Sequence, residues 1–439
     1  MLHRLSPVTF EPTRKAGLER LNAFAPHAGR AYASGRNTDM GNPEMQAVSM
    51  VSPYVRRRMV TEPELIAEAL KYHSATAAEK FIQEVVWRTY WKGWLEMRPI
   101  IWDRYLAARA QSFEDLDKDG ALRRDYHAAI TGETGIEGFD DWAQELVSTG
   151  YLHNHARMWF ASIWIFTLRL PWALGADFFY RHLVDADPAS NTLGWRWVAG
   201  LHTKGKTYLA RADNIDQHTA GRFRPTGLAP FAEPLIEAED MPAPLPPREG
   251  EMRVPTKGES GDYAVLLTSD DLYPDGWPGF ENNVPAAVIA LGQTADEAAL
   301  NSGDIAASFT RNASANAAKR ISREYHSDIA DLSKKNNIGD SATQPNIAND
   351  VVGANAQDVE RVLSACESAN LTQLMMPLAL TGPTKNFRDA LRQATSLRGI
   401  TLTEIQRRWD ANAFPYATAG FFKMKKQIPK LLAKADLVG

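Results

Sequence analysis

Between Asp185 and Trp197 the chain reads Asp-Ala-Asp-Pro-Ala-Ser-Asn-Thr-Leu-Gly-Trp-Arg-Trp, which sets two carboxylates (Asp185, Asp187), a carboxamide (Asn191) and two indoles (Trp195, Trp197) close together. Carboxylates and an amide can read the polar edge of a heterocycle, and indoles can stack on a ring or pass electrons. Three other clusters have the same character. Ser49 and Ser52 come just before Pro53, at an expected helix start where free N–H groups and the helix dipole favour an anion such as a diphosphate. Glu84, Trp87 and Arg88 fall at spacings of three and four, so one helical face presents a carboxylate, an indole and a guanidinium. Asn154, Arg157 and Met158 repeat that spacing. Taken singly, each has a plainer reading: a serine cap, or an ion pair beside a core tryptophan.

The pattern Asp-x-Asp-x-x-x-Asn-x-x-x-Trp-x-Trp resembles the flavin-binding domain of the DNA photolyases and cryptochromes, and the other three segments resemble further motifs of that family. The resemblance spans roughly residues 32–225. It implies a noncovalent FAD held by Ser49 and Ser52 at its phosphates, by Asp187 at the imide edge of the ring and by Asn191 at the atom that gains a proton on reduction. It further implies that Asn154 bonds near the cofactor and that Arg157 forms a buried pair with Asp185. Glu84, Trp87, Met158 and Trp197 correspond to the lesion side of the family's pocket. Trp195 corresponds to the indole nearest the flavin and Trp172 to the next electron donor, with Trp102, Trp159 or Trp164 as candidates for a third step. Arg88 and the triplet Arg56, Arg57 and Arg58 are the expected DNA-binding cations, joined by Lys204, Lys206, Arg211, Arg222 and Arg224.

The implied activity is light-driven repair of cyclobutane pyrimidine dimers in UV-damaged DNA, a lyase reaction. Asn154 stands where the family's (6-4) enzymes carry a second histidine. The alternative is a cryptochrome-like blue-light photoreceptor that photoreduces FAD without repair. The chain departs from the family pattern at three places. Val48 replaces a threonine before Ser49, Thr89 replaces a glutamate after Trp-Arg, and Thr192-Leu193-Gly194 replaces Asn-Gly-Gly.

These groups need a scaffold. From about Pro7 to Phe223 apolar residues recur every three or four positions, which predicts an almost wholly helical FAD-binding domain over 1–225. Thr61 followed by Pro63 and early acids reads as a capped helix start, Glu79–Met97 as a second helix, and the greasy run Met158–Leu168 as a buried one. Prolines then crowd the stretch 226–261, an extended linker. Beyond it, apolar runs at 263–268, 286–291 and 372–378 alternate with helical stretches at 313–325 and 357–368, so 262–439 is expected to be an α/β domain with a parallel sheet. In the family an α/β antenna domain precedes the helical one, whereas here its equivalent follows. A second chromophore would sit at a mobile loop over 336–355 or at the strand ends near Thr268–Asp271.

Composition bounds the rest. The chain has 439 residues, a net charge of −4 and one cysteine, so a nucleic-acid site must be a local basic patch and a reducing compartment is the default. The expected state is a cytoplasmic monomer with no membrane partner. No metal is expected: His153 and His155 read as helix-surface or supporting groups, since no ligand cluster completes a coordination sphere.

Overall fold

The computed structural model describes residues 9–333 and 347–438. Its first half is helical: α1 (Arg14–Phe24), α2 (Arg30–Gly35), α3 (Ser52–Arg56), α4 (Glu62–Leu70), α5 (Glu79–Glu96), α6 (Ile100–Lys118), α7 (Gly120–Thr131), α8 (Phe139–Thr149), α9 (Asn154–Ser162), α10 (Trp172–His182), α11 (Pro188–Val198) and α12 (Ala212–His218). Local chemistry sets the starts. Thr61 and Glu64 form a reciprocal capping box on α4, with Pro63 in the first turn. Asp187 caps α11 by accepting from Ser190 N at 2.8 Å, and Pro188 occupies its first turn. The greasy run begins in α9 and widens into a π-helical turn over Ile163–Thr167, with Trp159, Phe160, Ile163 and Trp164 wholly buried. On α10, Gly175 is required by close packing, because a Cβ there would lie 2.2 Å from Cη2 of Trp195.

The proline-rich stretch is extended and lies on the helices. Leu235 N bonds to Ala199 O, Leu245 N bonds to Met97 O at 2.8 Å, and Arg248 Nε reaches Glu96 Oε1 at 2.6 Å. After a short turn, α13 (Lys257–Ser260), come β1 (Ala264–Leu267), β2 (Ala287–Ala290), α14 (Ala295–Leu300), α15 (Asp304–Tyr325), β3 (Asp328–Asp331), α16 (Ile347–Ser368), β4 (Gln373–Pro377), α17 (Thr384–Leu397) and β5 (Thr401–Ile405). The strands are parallel in the order β3-β2-β1-β4-β5. The three expected apolar runs are β1, β2 and β4, buried on both faces as inner parallel strands must be. The sequence reading missed β3 and β5, edge strands that keep partly exposed polar residues. The expected loop at 336–355 is shorter than supposed at its far end, since α16 starts at Ile347; residues 336–346 lie outside the described residues.

The chain then returns to the helical half. α18 (Arg408–Ala413), α19 (Phe421–Lys425) and α20 (Ile428–Lys434) add Trp409, Phe421, Met424 and Leu431 to the helical core rather than to the sheet. Gly93 permits this approach, because a Cβ on it would stand 2.7 Å from Phe414. Thr89, one of the departures from the family pattern, accepts a hydrogen bond from Trp409 Nε1 at 2.8 Å. Among the described residues no helix is long and apolar enough to cross a membrane.

Candidate functional site

The site is built where α5, α9, α10 and α11 converge. Arg157 on α9 donates to Asp185 Oδ2 at 3.0 Å, the pair implied by the motif, with the carboxylate buried and the guanidinium partly open. Burial pushes the Asp185 carboxyl up, but Arg157 and the Ser52 hydroxyl outweigh it and hold it below the usual range. Asn191 is buried and donates its Nδ2 to Ala176 O at 2.8 Å, which leaves its Oδ1 as the acceptor it can offer.

Asp187 is buried among cations. Its Oδ2 lies 3.8 Å from Arg88 Nη1 and 4.0 Å from Lys92 Nζ. Burial raises its pKa, but Lys92, Arg56 and Arg88 together lower it further, so the group is ionised. Among the described residues, neither Asp187 Oδ2 nor Arg88 Nη1 closes a hydrogen bond, although both atoms are buried. A buried polar atom left unpaired costs about 1–3 kcal/mol. An acceptor and a donor left open 3.8 Å apart match a ligand edge carrying N–H beside C=O, which is what the imide of a flavin presents. Lys92 was missed from sequence: it sits one turn beyond Arg88 and is also 3.9 Å from Glu62, and its burial lowers its pKa. Its signal was the i, i+4 spacing from Arg88 on a face otherwise apolar.

On the side expected to face the lesion, Asn154, Arg157 and Met158 form the more open face of α9, while His153 and His155 are buried. His155 stacks on Trp159 at 4.2 Å and is held by Asn37 O and Tyr208. Glu84 is hemmed in by protein yet open to solvent on one side, 3.8 Å from Arg36; burial pushes its pKa up and Arg36 opposes that. Trp87 stacks face to face on Phe421 of α19, 3.8 Å between centroids and 12° between planes. Trp197 stacks on Tyr208 at 5.7 Å.

Ser52 opens α3 beside Asp185, whereas Ser49 lines an open groove with Thr9, Arg20 and Tyr54. The ring neighbours of Trp195 are Phe179, Trp164 and Phe160 at 5.1, 6.1 and 6.5 Å. Trp172 instead meets Tyr105 at 5.8 Å, which in turn meets Trp102 at 5.2 Å. The two expected donors therefore belong to separate aromatic chains.

The arginine triplet is a correction, and so is Arg88, expected on DNA but with its Nη1 buried 3.8 Å from Asp187 Oδ2. Arg56, Arg57 and Arg58, expected as a DNA-facing cluster, are all buried at the junction of the two halves. Arg56 donates to Ala186 O and Ser269 O and lies near Asp270 and Glu297. Arg57 reaches Val184 O and Thr310, and Arg58 pairs with Asp410 and lies 3.9 Å from Asp271. An Arg-rich run reads as a surface patch by composition, but here each guanidinium meets a polar group from the far half of the chain: Ser269 O and acids for Arg56, the Thr310 hydroxyl for Arg57, and Asp410 for Arg58. These arginines fill the strand ends near Thr268–Asp271, leaving a narrow crevice bordered by Lys92, Asp187, Pro188, Leu378 and Thr381.

Fold and site together define a helical domain joined to a small parallel α/β domain. Residues 81–223 match the family described as the FAD binding domain of DNA photolyase, and the resemblance read from the motifs is to that same family. The deoxyribodipyrimidine photo-lyase of Thermus thermophilus is 32% identical over 199 residues, 45% of this chain and 45% of that protein. That of Alkalihalophilus pseudofirmus is 29% identical over 205 residues, 46% of this chain and 40% of that protein. A class III photolyase from Agrobacterium tumefaciens is similar in structure, with 25% identity, a TM-score of 0.37, and coverage of 47% of this chain and 44% of that one. The chain thus spans less than half the length of these relatives.

Proposed function

We propose that the chain binds FAD in its helical half and uses light to split cyclobutane pyrimidine dimers in DNA. The observation that carries this reading is the buried, unsatisfied Asp187 Oδ2 and Arg88 Nη1, set beside Asn191 and the Arg157–Asp185 pair. FAD, when bound and reduced, supplies on excitation the electron that opens the dimer. The residues do the rest. Asp187 would accept from the imide N–H and Arg88 would donate to the adjacent carbonyl, with Lys92 lowering the Asp187 pKa. Asn191 Oδ1 would accept a hydrogen bond from the ring N–H formed on reduction. Ser52, with Ser49, contacts the diphosphate. The helical core with Trp164 and Trp195 keeps bulk water from the ring.

On the lesion side, a dimer must leave the duplex stack to reach the pocket, and a damaged step costs less to open. Trp87 and Trp197 would hold the flipped pair, Met158 would touch it, and Glu84 would bond a base edge. Burial raises the Glu84 pKa against the opposing pull of Arg36.

A second reading, a blue-light photoreceptor without repair, draws on one observation: one face of Trp87 is already taken by Phe421. Blue-light treatment of an oligonucleotide carrying one cyclobutane dimer separates the two. Restoration of the pyrimidines supports repair; FAD photoreduction with no restoration and no preference for damaged DNA overturns it and leaves the photoreceptor.

A further inference from the structure

With the Arg56–Arg58 triplet buried, the cations that meet DNA must come from elsewhere. From Ala411 to Ala435 the chain holds five lysines and no acid, in a protein whose net charge is −4. Lys423, Lys426, Lys430 and Lys434 are exposed on α19, α20 and the turn between them. Their neighbours are neutral: Lys423 donates to Thr418, Lys430 lies over Tyr416, and Lys434 donates to Asn412. Several other exposed cations are already matched, Arg211 by Asp213, Arg253 by Glu259 and Arg398 by Glu360 and Glu367. Among the described residues, only Lys425 of this run meets an acid, Glu79 at 3.7 Å.

The position of this segment is as telling as its charge. Phe421 stacks on Trp87, Arg98 donates to Thr418 O, and the Tyr90 hydroxyl bridges Ala419 O at 2.9 Å and His202 Nε2 at 3.3 Å. His202 is followed by exposed Lys204 and Lys206. Two basic segments, one after α11 and one at the end of the chain, therefore meet across Tyr90 beside Trp87. Phe422 stands among these lysines with 76% of its surface exposed.

We infer that α19 and α20, from beyond the α/β domain, form the DNA-docking face beside Trp87, with Lys423, Lys426, Lys430 and Lys434 on backbone phosphates and Phe422 as an apolar contact to the opened base step. Acid-free spacing lets the lysines neutralise phosphates without first breaking ion pairs, and an exposed phenyl beside cations suits a wedge at an unstacked step. The inference rests on the repair reading for the choice of damaged DNA, and its test separates the two.

The measurement is affinity of the FAD-loaded full chain for matched short duplexes with and without one cyclobutane dimer, across a series of salt concentrations. Replacing Lys423, Lys426, Lys430 and Lys434 together by Gln should weaken binding to both duplexes at least tenfold, and should make log affinity against log salt shallower by about 0.9 per lost phosphate contact. A control with Lys15, Lys71, Lys118 and Lys319 replaced by Gln has the same net charge and should bind as the native protein does. Phe422→Ala should weaken the dimer-containing duplex more than the undamaged one. If the native protein prefers the dimer and the first variant binds both duplexes unchanged, the docking face is overturned while the repair reading stands. If the native protein shows no preference and the first variant still loses duplex binding, the docking face stands and the repair reading falls.

Discussion

Asp187 has two duties that can be separated by substitution. As N-cap of α11 its Oδ1 accepts from Ser190 N at 2.8 Å, and as an anion its Oδ2 faces Arg88 at 3.8 Å and Lys92 at 4.0 Å. Asn is as good a cap as Asp, so Asp187→Asn removes the charge alone, whereas Asp187→Ala removes both. A lost cap costs about 1 kcal/mol. At an effective dielectric of about 20, each of the two ion pairs is worth roughly 4 kcal/mol gross. Desolvation cancels much of this, so a net loss of about 2–3 kcal/mol is expected for Asp187→Asn, with Asp187→Ala about 1 kcal/mol worse. The charge contribution depends on pH. The Asp187 pKa is lowered in the folded state, so its stabilisation is fully present above the unfolded value of about 4 and is lost as pH falls through the folded one. Urea unfolding at neutral pH should therefore separate the native protein from Asp187→Asn, and the gap should narrow in acid. FAD titration of the refolded proteins should give much weaker binding for both variants. Full flavin occupancy with an unchanged spectrum in Asp187→Asn would refute the ring-edge assignment, and equal stability of the Asn and Ala variants would refute the capping argument.

Trp195→Phe should slow photoreduction in the presence of an external thiol while FAD stays bound; because Trp164 is the indole in contact with Trp195, Trp164→Phe should slow it more than Trp172→Phe, measured by flavin absorbance under continuous blue light. Glu145 on α8 has its carboxyl pushed up to about 8, first by burial and then by Asp39, with Arg222 opposing. Its folded pKa is raised, so native stability should fall as pH climbs from about 4.5 towards that value, and Glu145→Gln should flatten the fall in urea melts recorded between pH 5 and 9. Stacking on an aromatic platform is worth about 1–3 kcal/mol per base, so Trp87→Ala should weaken dimer-containing DNA by one to two orders of magnitude and leave undamaged DNA nearly unaffected in filter-binding or anisotropy assays. Equal weakening of both would indicate a loosened fold instead.

The helices, the three inner strands and the Arg157–Asp185 pair were legible because each depends on short-range pattern: a capping box, an apolar run, or charges fixed by a motif. What was not legible depends on the far half of the chain. Nothing near Arg56 announces Asp270 or Glu297, more than two hundred residues away, so a basic triplet was read as surface. Thr89 looked like a defect in a family motif until Trp409 arrived to donate to it. The edge strands β3 and β5 escaped because Asp328, Asp331, Thr401 and Thr403 give them a polar, half-exposed character that alternation cannot separate from loop. Lys92 escaped because a lone lysine on an apolar helix is ordinarily assumed to reach solvent.

The same distant contacts explain how the α/β domain reaches the site although it follows the helical domain in sequence. Buried arginines demand partners, and those of α3 and the following turn find theirs at the carboxyl end of β1, on α15 and on α18. Gly382 then lies so close to Pro188 that a Cβ would stand 2.8 Å from it, which presses the loop after β4 onto the cap of α11. Removing one partner of a buried ion pair costs about 3–5 kcal/mol, so deleting the α/β half and α18 would leave Arg56 and Arg58 without their acids at once. The helical half is therefore bound to the α/β half for its own stability, and the extended stretch between them spans a junction already fixed by charge.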